Sequence, residues 1–532
     1  MILRPGPAWG TALTIVLITG VPILVVGASV LLPNPPVWDH LLEVVLPEVV
    51  ANTLWLVLGV GLGVTVLGGS LGWLTATCEF PGRRFFSWAL LLPLALPAYV
   101  SAFVWLGLLD FTGTLPSWLR EVWGIRVNLP IRSTAGVIVV MSLALYPYVY
   151  LTARAAFTGQ DSRLVEAAQS LGFSRAQAFW RVSLPLARQG IVAGLLLALM
   201  ETLADFGTVA VFNYDTFTTA IYKAWFALFS LPAAAKLASY LVAFVFVVAI
   251  LESRARASMQ QMGGRALGKA PRLQLRGGAA MGALLWAGGV FGLAFVIPSA
   301  QLMIWAVKVW SQDLDMRYLA FAWHSLSLSA LGASLVCALA LLLAYAQRSV
   351  PSHAMRLTTR AATLGYALPG SVLAVGFYLP IAWLDNQLID RLGVQGQVLG
   401  GTLLVMLLAY SARFLAVAFG PVDAGLGRVS RRLDEAAATM GVSGAQQLRR
   451  VHLPMLRVSV LSAYALVFVD IMKELPITLM TRPFGWDTLA VRVFEMTSES
   501  EWERAALPAL AIALVGLLPV ALLIRSTDHA HT

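Results

Sequence analysis

Long apolar stretches alternate with short polar ones along the whole chain. Each stretch is about as long as the roughly 20 residues that an α-helix needs to cross a bilayer. The strict period-two alternation over about ten residues that marks a membrane β-barrel does not occur. The pattern predicts an all-α integral membrane protein with about twelve transmembrane helices. They are expected at 11–32, 52–77, 87–109, 134–157, 190–212, 234–252, 280–307, 324–346, 361–384, 398–420, 456–480 and 506–524.

The composition agrees with a chain that lipid largely surrounds. Hydrophobic residues make up 59% of the 532 residues and charged residues only 12%, about half the charged fraction of soluble domains. The mean hydropathy of +0.78 excludes a soluble globular protein. Cys78 and Cys337 both lie in apolar runs, which excludes a disulfide framework. The first apolar run exceeds the core of a signal peptide, so we expect it to remain as a helix.

The basic residues indicate the orientation in the membrane. With the N-terminus in the cytoplasm, the segments on that side contain most of the 37 Lys and Arg residues but a minority of the 27 Asp and Glu residues. Basic residues accumulate in cytoplasmic loops. The net charge of +10 is therefore assigned to these loops rather than to a nucleic-acid surface, and both termini are predicted to be cytoplasmic.

A polar, basic and glycine-rich segment at 253–279 lies between the sixth and seventh apolar runs. This composition is typical of a linker. It divides the chain into a first transmembrane domain at 1–252 and a second at 280–532, each with six predicted helices. Within the linker, GGRALGK at 263–269 has the spacing of a phosphate-binding loop. Ala270 follows where Ser or Thr would hold magnesium, and no strand precedes the motif, so the match is attributed to chance.

The two domains share an internal repeat. VEAAQSLGFSRAQAFWRVSLPLAR at 165–188 matches DEAAATMGVSGAQQLRRVHLPMLR at 434–457. The offset is constant along the repeat, because 435 − 166, 441 − 172 and 454 − 185 all equal 269. Both copies follow the fourth predicted helix of their domain, on the predicted cytoplasmic side. The chain is therefore interpreted as a tandem of one six-helix unit.

Each copy of the repeat predicts a helix–turn–helix. Short helices are expected at 164–171 and 433–440, and Gly172 and Gly441 follow them where a left-handed turn ends a helix. The S-x-x-Q spacing of a capping box then predicts a second short helix, from Ser174 with Gln177 and from Ser443 with Gln446. Leu-Pro pairs are expected to stop that helix and start the next membrane helix. On spacing alone, a basic loop that only anchors the chain at the cytosolic surface remains an alternative.

These residues resemble the EAA loop of ABC-importer permeases, and the resemblance covers nearly the whole chain. It implies two type I importer permease halves, with coupling helices at 174–183 and 443–452 that dock in grooves of ATP-hydrolysing subunits. The implied partners are two ABC ATPase subunits, which use ATP and Mg, and a periplasmic binding protein. No cofactor is expected on this chain, and the implied location is the bacterial inner membrane. The implied coupling residues are Glu166, Ala167, Ala168, Gly172, Pro185, Glu435, Ala436, Ala437, Gly441 and Pro454.

The substrate implied by the resemblance is ferric iron. The fused double permease and the segments at 204–226 and 473–496 resemble the bacterial ferric-iron importers. Fused permeases for thiamine or phosphonate are similar, so these two substrates remain alternatives. An ion-coupled secondary transporter is less compatible, because its signature loop is expected between the second and third helices. An intramembrane enzyme would need a catalytic motif, and none is present in the sequence.

Ionisable residues lie within two of the apolar runs. A carboxylate in a bilayer costs several kcal/mol, about 2.5–3.5 on insertion scales, so such residues usually face a partner or a wet path. The repeat offset maps Asp205 to Glu474 and Glu201 to Asp470. Oxygen ligands suit a hard cation such as Fe(III), which makes these four acids a candidate translocation path. In the alternative interpretation, Lys473 neutralises Asp470 and the other acids make structural contacts.

Overall fold

A computed structural model describes residues 5–262, 272–393, 397–442 and 444–529. These residues are mostly helical and include only two short strands, which confirms the predicted all-α class. Twelve helical stretches within them are long and apolar enough to cross a bilayer, as the apolar runs predict. They are Gly6–Leu31, Trp38–Thr77, Ala98–Trp123, Thr134–Thr158, Arg175–Ala204, Leu231–Ala255, Gly278–Asp313, Met316–Ser349, Gly370–Arg391, Leu403–Arg428, Ala445–Met472 and Trp502–Ala521.

The first part of the chain contains thirteen α-helices and the first of two short strands. The helices are α1 (Pro5–Ala28), α2 (Trp38–His40), α3 (Leu46–Thr77), α4 (Arg83–Ala89), α5 (Ala98–Leu109), α6 (Thr114–Trp123), α7 (Thr134–Thr158), α8 (Ser162–Ser170), α9 (Arg175–Ala178), α10 (Leu184–Ala204), α11 (Gly207–Val211), α12 (Phe217–Phe226) and α13 (Leu231–Met262), and the strand is β1 (Cys78–Glu79). Short 3-10 or π-helical segments lie at Ser29–Leu31, Leu41–Val45, Leu92–Ala95 and Phe179–Ser183.

The second part follows a similar plan after the strand β2 (Leu273–Gln274). Its helices are α14 (Gly278–Phe291), α15 (Ile297–Asp313), α16 (Met316–Ser349), α17 (His353–Ala362), α18 (Gly370–Leu392), α19 (Leu403–Arg428), α20 (Arg431–Thr439), α21 (Ala445–Gln447), α22 (Leu453–Met472), α23 (Pro476–Thr481), α24 (Leu489–Ser498) and α25 (Trp502–His529). Short 3-10 or π-helical segments lie at Gly292–Val296, Leu364–Ala367 and Leu448–His452.

Two of the predicted spans are broken by proline. The runs at 87–109 and 361–384 are predicted as single helices, but each contains a short 3-10 turn and an extended residue, Leu96 or Leu368. Pro97 and Pro369 follow these residues. A residue that precedes proline is driven out of the α conformation. The membrane helices α5 and α18 therefore begin only after these prolines.

One compact unit comprises the described residues of Met1–Glu43, Ala220–Val242 and Leu314–Val493. In this unit α1 packs against α16, α17, α18 and α19. The helices α16, α19 and α22 pack on one another to form its core. Lys236 of α13 is buried, and its ammonium donates to the carbonyl of Leu32 at 2.7 Å, which ties the segment after α1 to α13.

The other unit comprises the described residues of Val44–Thr219, Ala243–Asp313 and Phe494–Thr532. Its core is formed by α3, α7 and α10, and α15 packs against α25. Glycine permits a close helix contact, because a Cβ atom added at Gly68 of α3 would lie 2.6 Å from the Cβ of Val149 on α7. The strand β1 pairs in parallel with β2, with Cys78 opposite Leu273.

The compact units are not continuous halves of the chain. The helix α1, from the predicted domain 1–252, packs within the unit that holds most of the predicted domain 280–532. The predicted domains describe the repeat along the sequence and stay a prediction. The predicted linker 253–279 begins as helix, since α13 continues to Met262. The GGRALGK match at 263–269 lies outside the described residues.

Candidate functional site

The first EAA loop (165–188) contains the turn that the sequence predicts. Gly172, after α8, has a φ of +89°. The amide of Phe173 donates to the carbonyl of Ala168 at 3.1 Å, and the amide of Gly172 donates to the carbonyl of Gln169 at 2.9 Å. These bonds satisfy the last carbonyls of α8 and require a left-handed backbone, which glycine adopts without strain.

The second EAA loop (434–457) repeats this turn at the equivalent position. Gly441, after α20, has a φ of +78°. The amide of Val442 donates to the carbonyl of Ala437 at 2.9 Å, and the amide of Gly441 donates to the carbonyl of Ala438 at 3.1 Å. The same pair of hydrogen bonds is present in both loops, so the two copies of the repeat share their local structure as well as their sequence pattern.

The second short helix begins differently in the two loops. In the first loop, the predicted capping box is present: the amide of Gln177 donates to Ser174 Oγ at 3.3 Å, and the amide of Ser174 donates to Gln177 Oε1 at 2.9 Å. In the second loop, Ser443, which is predicted to pair with Gln446, lies outside the described residues. There, α21 begins after Gly444.

The Leu-Pro pairs do not end the short helices, so that prediction is wrong. At both sites the chain stays helical through a π-helical segment into α10 or α22. The amides of Leu184 and Leu453 donate to carbonyls five residues earlier. The wider π turn leaves room for the rings of Pro185 and Pro454, which would clash with the carbonyl four residues back in a regular α-helix. Each EAA loop therefore continues directly into a membrane helix.

Both loops expose the same kinds of side chain. The side chains of Leu171 and Met440, which directly precede the turn glycines, are each 80% exposed. Ala168 and Ala437 are buried and hold the first short helices against the protein. The exposed EAA-loop residues are Glu166, Ala167, Gly172, Pro185, Glu435, Ala436, Gly441 and Pro454. Each loop thus exposes a carboxylate, small residues and large apolar side chains, which also include Trp180 in the first loop and Met455 in the second.

Among the candidate path acids, Asp205 caps a short helix. The predicted span 190–212 is wrong at its end, because α10 stops at Ala204 and Asp205 is extended (φ −66°, ψ 130°). Its Oδ1 accepts from the amides of Thr208 at 2.9 Å and Val209 at 3.2 Å, and its Oδ2 accepts from Thr208 Oγ1 at 2.9 Å. The carboxylate thereby satisfies the first amides of α11.

Glu474 has the same role in the other unit. The predicted span 456–480 is also interrupted, since α22 ends at Met472 and α23 begins at Pro476. Glu474 is buried, and its carboxylate accepts from the amide of Ile477 at 3.0 Å, the amide of Thr478 at 3.1 Å and Thr478 Oγ1 at 3.2 Å. Both acids that the repeat offset pairs therefore cap the short helix that follows a membrane helix.

The other two acids have different surroundings. Glu201 lies on α10 and interacts electrostatically with Asp205. Asp470 on α22 forms an ion pair with Lys473, with Oδ1 and Nζ 2.9 Å apart, as the alternative interpretation predicts. Within the described part of the chain, no three His, Cys, Asp or Glu side chains are grouped so as to hold a metal ion. A translocation path shared by the four acids stays a prediction.

Arg413 lies on the membrane helix α19, and no sequence motif singles it out. Its guanidinium interacts electrostatically with Glu474, and Nη1 donates to the carbonyl of Leu368 at 2.8 Å. Arg413 therefore contributes positive electrostatic potential at Glu474 from a neighbouring helix. A lone arginine within the apolar run 398–420 was a usable signal, because ionisable residues in a membrane helix usually have a partner.

Comparison with known proteins gives matches over both halves. The segments 68–257 and 337–530 each match the family described as "Binding-protein-dependent transport system inner membrane component". Over 531 residues the chain is 28% identical to the Fe(3+)-transport system permease protein FbpB 2 of Haemophilus influenzae, and the match covers 98% of both chains. Over 198 residues it is 31% identical to the molybdenum transport system permease protein ModB of Escherichia coli K12, covering 36% of this chain and 85% of that protein.

Each matched segment contains one EAA loop and the membrane helices around it. The match therefore confirms the predicted tandem of two permease domains in one membrane-spanning chain. Members of this family are the permease subunits of ABC importers and are not themselves enzymes. The chain belongs to the family of binding-protein-dependent transport system inner membrane components.

Proposed function

We propose that this chain moves ferric iron from a periplasmic binding protein into the cytoplasm, driven by two ATPase subunits that dock at the two EAA loops. The observation that carries this proposal is the pair of equivalent exposed loops, each with the same glycine turn and each joined directly to a membrane helix. A displacement applied to such a loop reaches the membrane helix without a flexible joint in between.

The surfaces of the loops suit docking to a soluble partner. Leu171 and Met440 are large apolar side chains at equivalent positions, and both are almost fully exposed. Burial of such a side chain in a partner's groove contributes roughly 1.5–3 kcal/mol. The nearby carboxylates of Glu166 and Glu435 are exposed as well and available for hydrogen bonds at the rim of the contact. ATP and Mg would bind only to the partner subunits.

Two observations support ferric iron over other substrates. The Fe(3+)-transport relative matches over both permease domains, whereas the molybdenum permease matches about one third of this chain. The acids Glu201 and Asp205 provide hard oxygen atoms close to the end of a membrane helix, which suit Fe(III) better than an oxyanion. Thiamine and phosphonate are the alternative substrates, and an ion-coupled secondary transporter is the alternative mechanism.

The proposed mechanism is alternating access. Closure of the two ATPase subunits would move the helices at 174–183 and 443–452 together, and the attached membrane helices α10 and α22 would move with them. The predicted orientation, with the EAA loops and both termini in the cytoplasm, places the ATPase on the correct side for this coupling.

The test of the proposal is the substitution of the turn glycines. Gly172→Val and Gly441→Val force valine into a left-handed backbone, at a cost of about 1–2 kcal/mol, although a side chain has open space there. We expect weaker co-purification with the ATPase subunits and a loss of iron uptake in proteoliposomes, with the membrane helices still folded. Gly427→Val is the matched control, since Gly427 also has open space but no positive φ. Undiminished ATPase binding with full uptake in both variants would refute the coupling role.

A further inference from the structure

The second EAA loop contains a buried ionic network. Asp434 on α20 is only 8% exposed. Its Oδ2 accepts from Arg348 Nε at 2.9 Å and lies 2.8 Å from Arg348 Nη2, and its Oδ1 lies 2.7 Å from His452 Nε2. His452 belongs to the π-helical segment before α22, and Arg348 belongs to α16. One carboxylate thus joins the first short helix of the loop to two other elements.

Further bonds from α16 strengthen this arrangement. The guanidinium of Arg348 also donates to the carbonyls of Leu426 at 2.5 Å and Val429 at 2.8 Å. Tyr345, one turn earlier, donates from its hydroxyl to the carbonyl of Gly444 at 3.0 Å, and its ring lies 5.5 Å from that of His452. The helix α16 therefore holds the second loop at the starts of both short helices.

The first EAA loop lacks these charges. The constant offset of the repeat places Val165 at the position of Asp434, and Ser183 at the position of His452. Ser183 makes neutral hydrogen bonds instead: its Oγ lies 3.0 Å from Gln160 Oε1, and Gln160 Nε2 donates to its carbonyl at 2.8 Å. Valine at 165 has no group that could accept a hydrogen bond from an arginine.

We propose that Asp434 is a positioning residue that, with Arg348 and His452, fixes the second EAA loop rigidly to its helices, and that the first loop is held more loosely. Charge-assisted hydrogen bonds are about twice as strong as neutral ones. Breaking a buried ionic contact leaves an uncompensated charge, which opposes local opening. Under the proposed function, the second loop transmits the ATPase movement stiffly while the first loop adjusts to its partner.

The experiment compares the mobility of the two loops in the full chain without partners. Spin labels are placed at Leu171→Cys or Met440→Cys, two equivalent and equally exposed positions. The buried native cysteines, Cys78 and Cys337, are replaced by alanine. We expect a more restricted spectrum at 440 than at 171. In this comparison the network of Asp434, Arg348 and His452 is intact. Equal mobility at 171 and 440 would overturn the proposal.

A substitution then tests the cause. Asp434→Asn removes the charge and keeps the size of the side chain. We expect it to raise the mobility at 440 to the level at 171 and to leave the label at 171 unchanged. In proteoliposomes it should also lower iron uptake per ATP hydrolysed several-fold. Val165→Ala, at the equivalent position of the first loop, is the matched control. Unchanged mobility at 440 in a folded Asp434→Asn variant would refute the role of Asp434.

The expected effect of Asp434→Asn on iron uptake rests on the proposed function. The expected difference in loop mobility does not, so the two proposals can fail separately. The mobility measurement needs no ATPase, so it decides the rigidity of the second loop even if the loops bind another partner. Conversely, failure of the glycine variants to affect ATPase binding would refute the proposed coupling while leaving the mobility difference intact.

Discussion

Gly376 on α18 lies directly against Pro22 in the middle of α1: a Cβ atom added at Gly376 would lie 2.6 Å from the Cβ of Pro22. This contact joins the first helix of the chain to a helix of the second sequence repeat. Close approach of helix backbones at a small residue increases the dispersion contacts between them, which is a main source of helix association in lipid.

We expect Gly376→Val to weaken this contact. The added side chain must push α1 and α18 apart, and overpacking of this kind costs about 1–3 kcal/mol. The measurement is the thermal unfolding temperature of the purified protein in detergent. Gly20→Val on α1 is the control, because no atom lies within 4 Å of a Cβ added there. An equal unfolding temperature for both variants would mean that α1 does not pack on α18 as described.

The proposed orientation predicts a pattern of chemical labelling in intact cells. In a background with alanine at Cys78 and Cys337, cysteines placed at Ser258 and Ser526 should resist a membrane-impermeant thiol reagent. A cysteine at Ser500, in the turn between α24 and α25, should react. Labelling at 258 without labelling at 500 would contradict the predicted orientation and indicate the opposite one.

For Asp205, we expect two substitutions to separate charge from capping. Asparagine keeps an oxygen that accepts from the amides of α11 but removes the charge, so Asp205→Asn should keep protein yield and lose most iron uptake. Asp205→Ala also removes the cap, at a cost of about 0.5–2 kcal/mol, and should lower yield as well. Uptake at the unsubstituted level in Asp205→Asn would show that capping is the role of Asp205 and would remove it from the path.

The interaction between Arg413 and Glu474 predicts a rescue. Arg413→Leu removes a positive charge that favours the buried carboxylate of Glu474, together with the hydrogen bond to the carbonyl of Leu368, so yield and unfolding temperature should fall. Adding Glu474→Gln removes the negative charge and should restore much of the stability. Asp470→Asn with Arg413→Leu is the control, since Asp470 is paired with Lys473 instead. Rescue by the control as strong as by Glu474→Gln would contradict a specific electrostatic interaction between Arg413 and Glu474.

Local rules explain what the sequence predicted well. The number of spans follows from apolar run length, and the turns at Gly172 and Gly441 follow from the helix-ending preference of glycine. The breaks after Ala204 and Met472 were missed because the apolar run continues past them, and hydropathy does not register a carboxylate that caps the next helix. The prolines of the EAA loops are expected to end the short helices, but a π turn accommodates them and the chain stays helical.

Contacts between distant residues could not be predicted from local patterns. Asp434 is bonded to Arg348, 86 residues away in sequence, and no motif joins the two. Arg413 illustrates the same difficulty: a charge in an apolar run indicates a partner but does not identify it. The repeat alone also made the two EAA loops look equivalent, although their anchoring differs.

The packing of α1 also has a consequence for biosynthesis. The helix α1 is made early, yet α16, α18 and α19, against which it packs, are made only after the chain passes its midpoint. During synthesis α1 therefore lies in the bilayer without its packing partners until these helices are made. Final assembly is then dominated by contacts between residues far apart along the chain, which form slowly. Because α1 and the helices it packs against belong to one polypeptide, their contact surfaces have a high effective concentration for each other. This effective concentration does not depend on how much of the protein the cell makes.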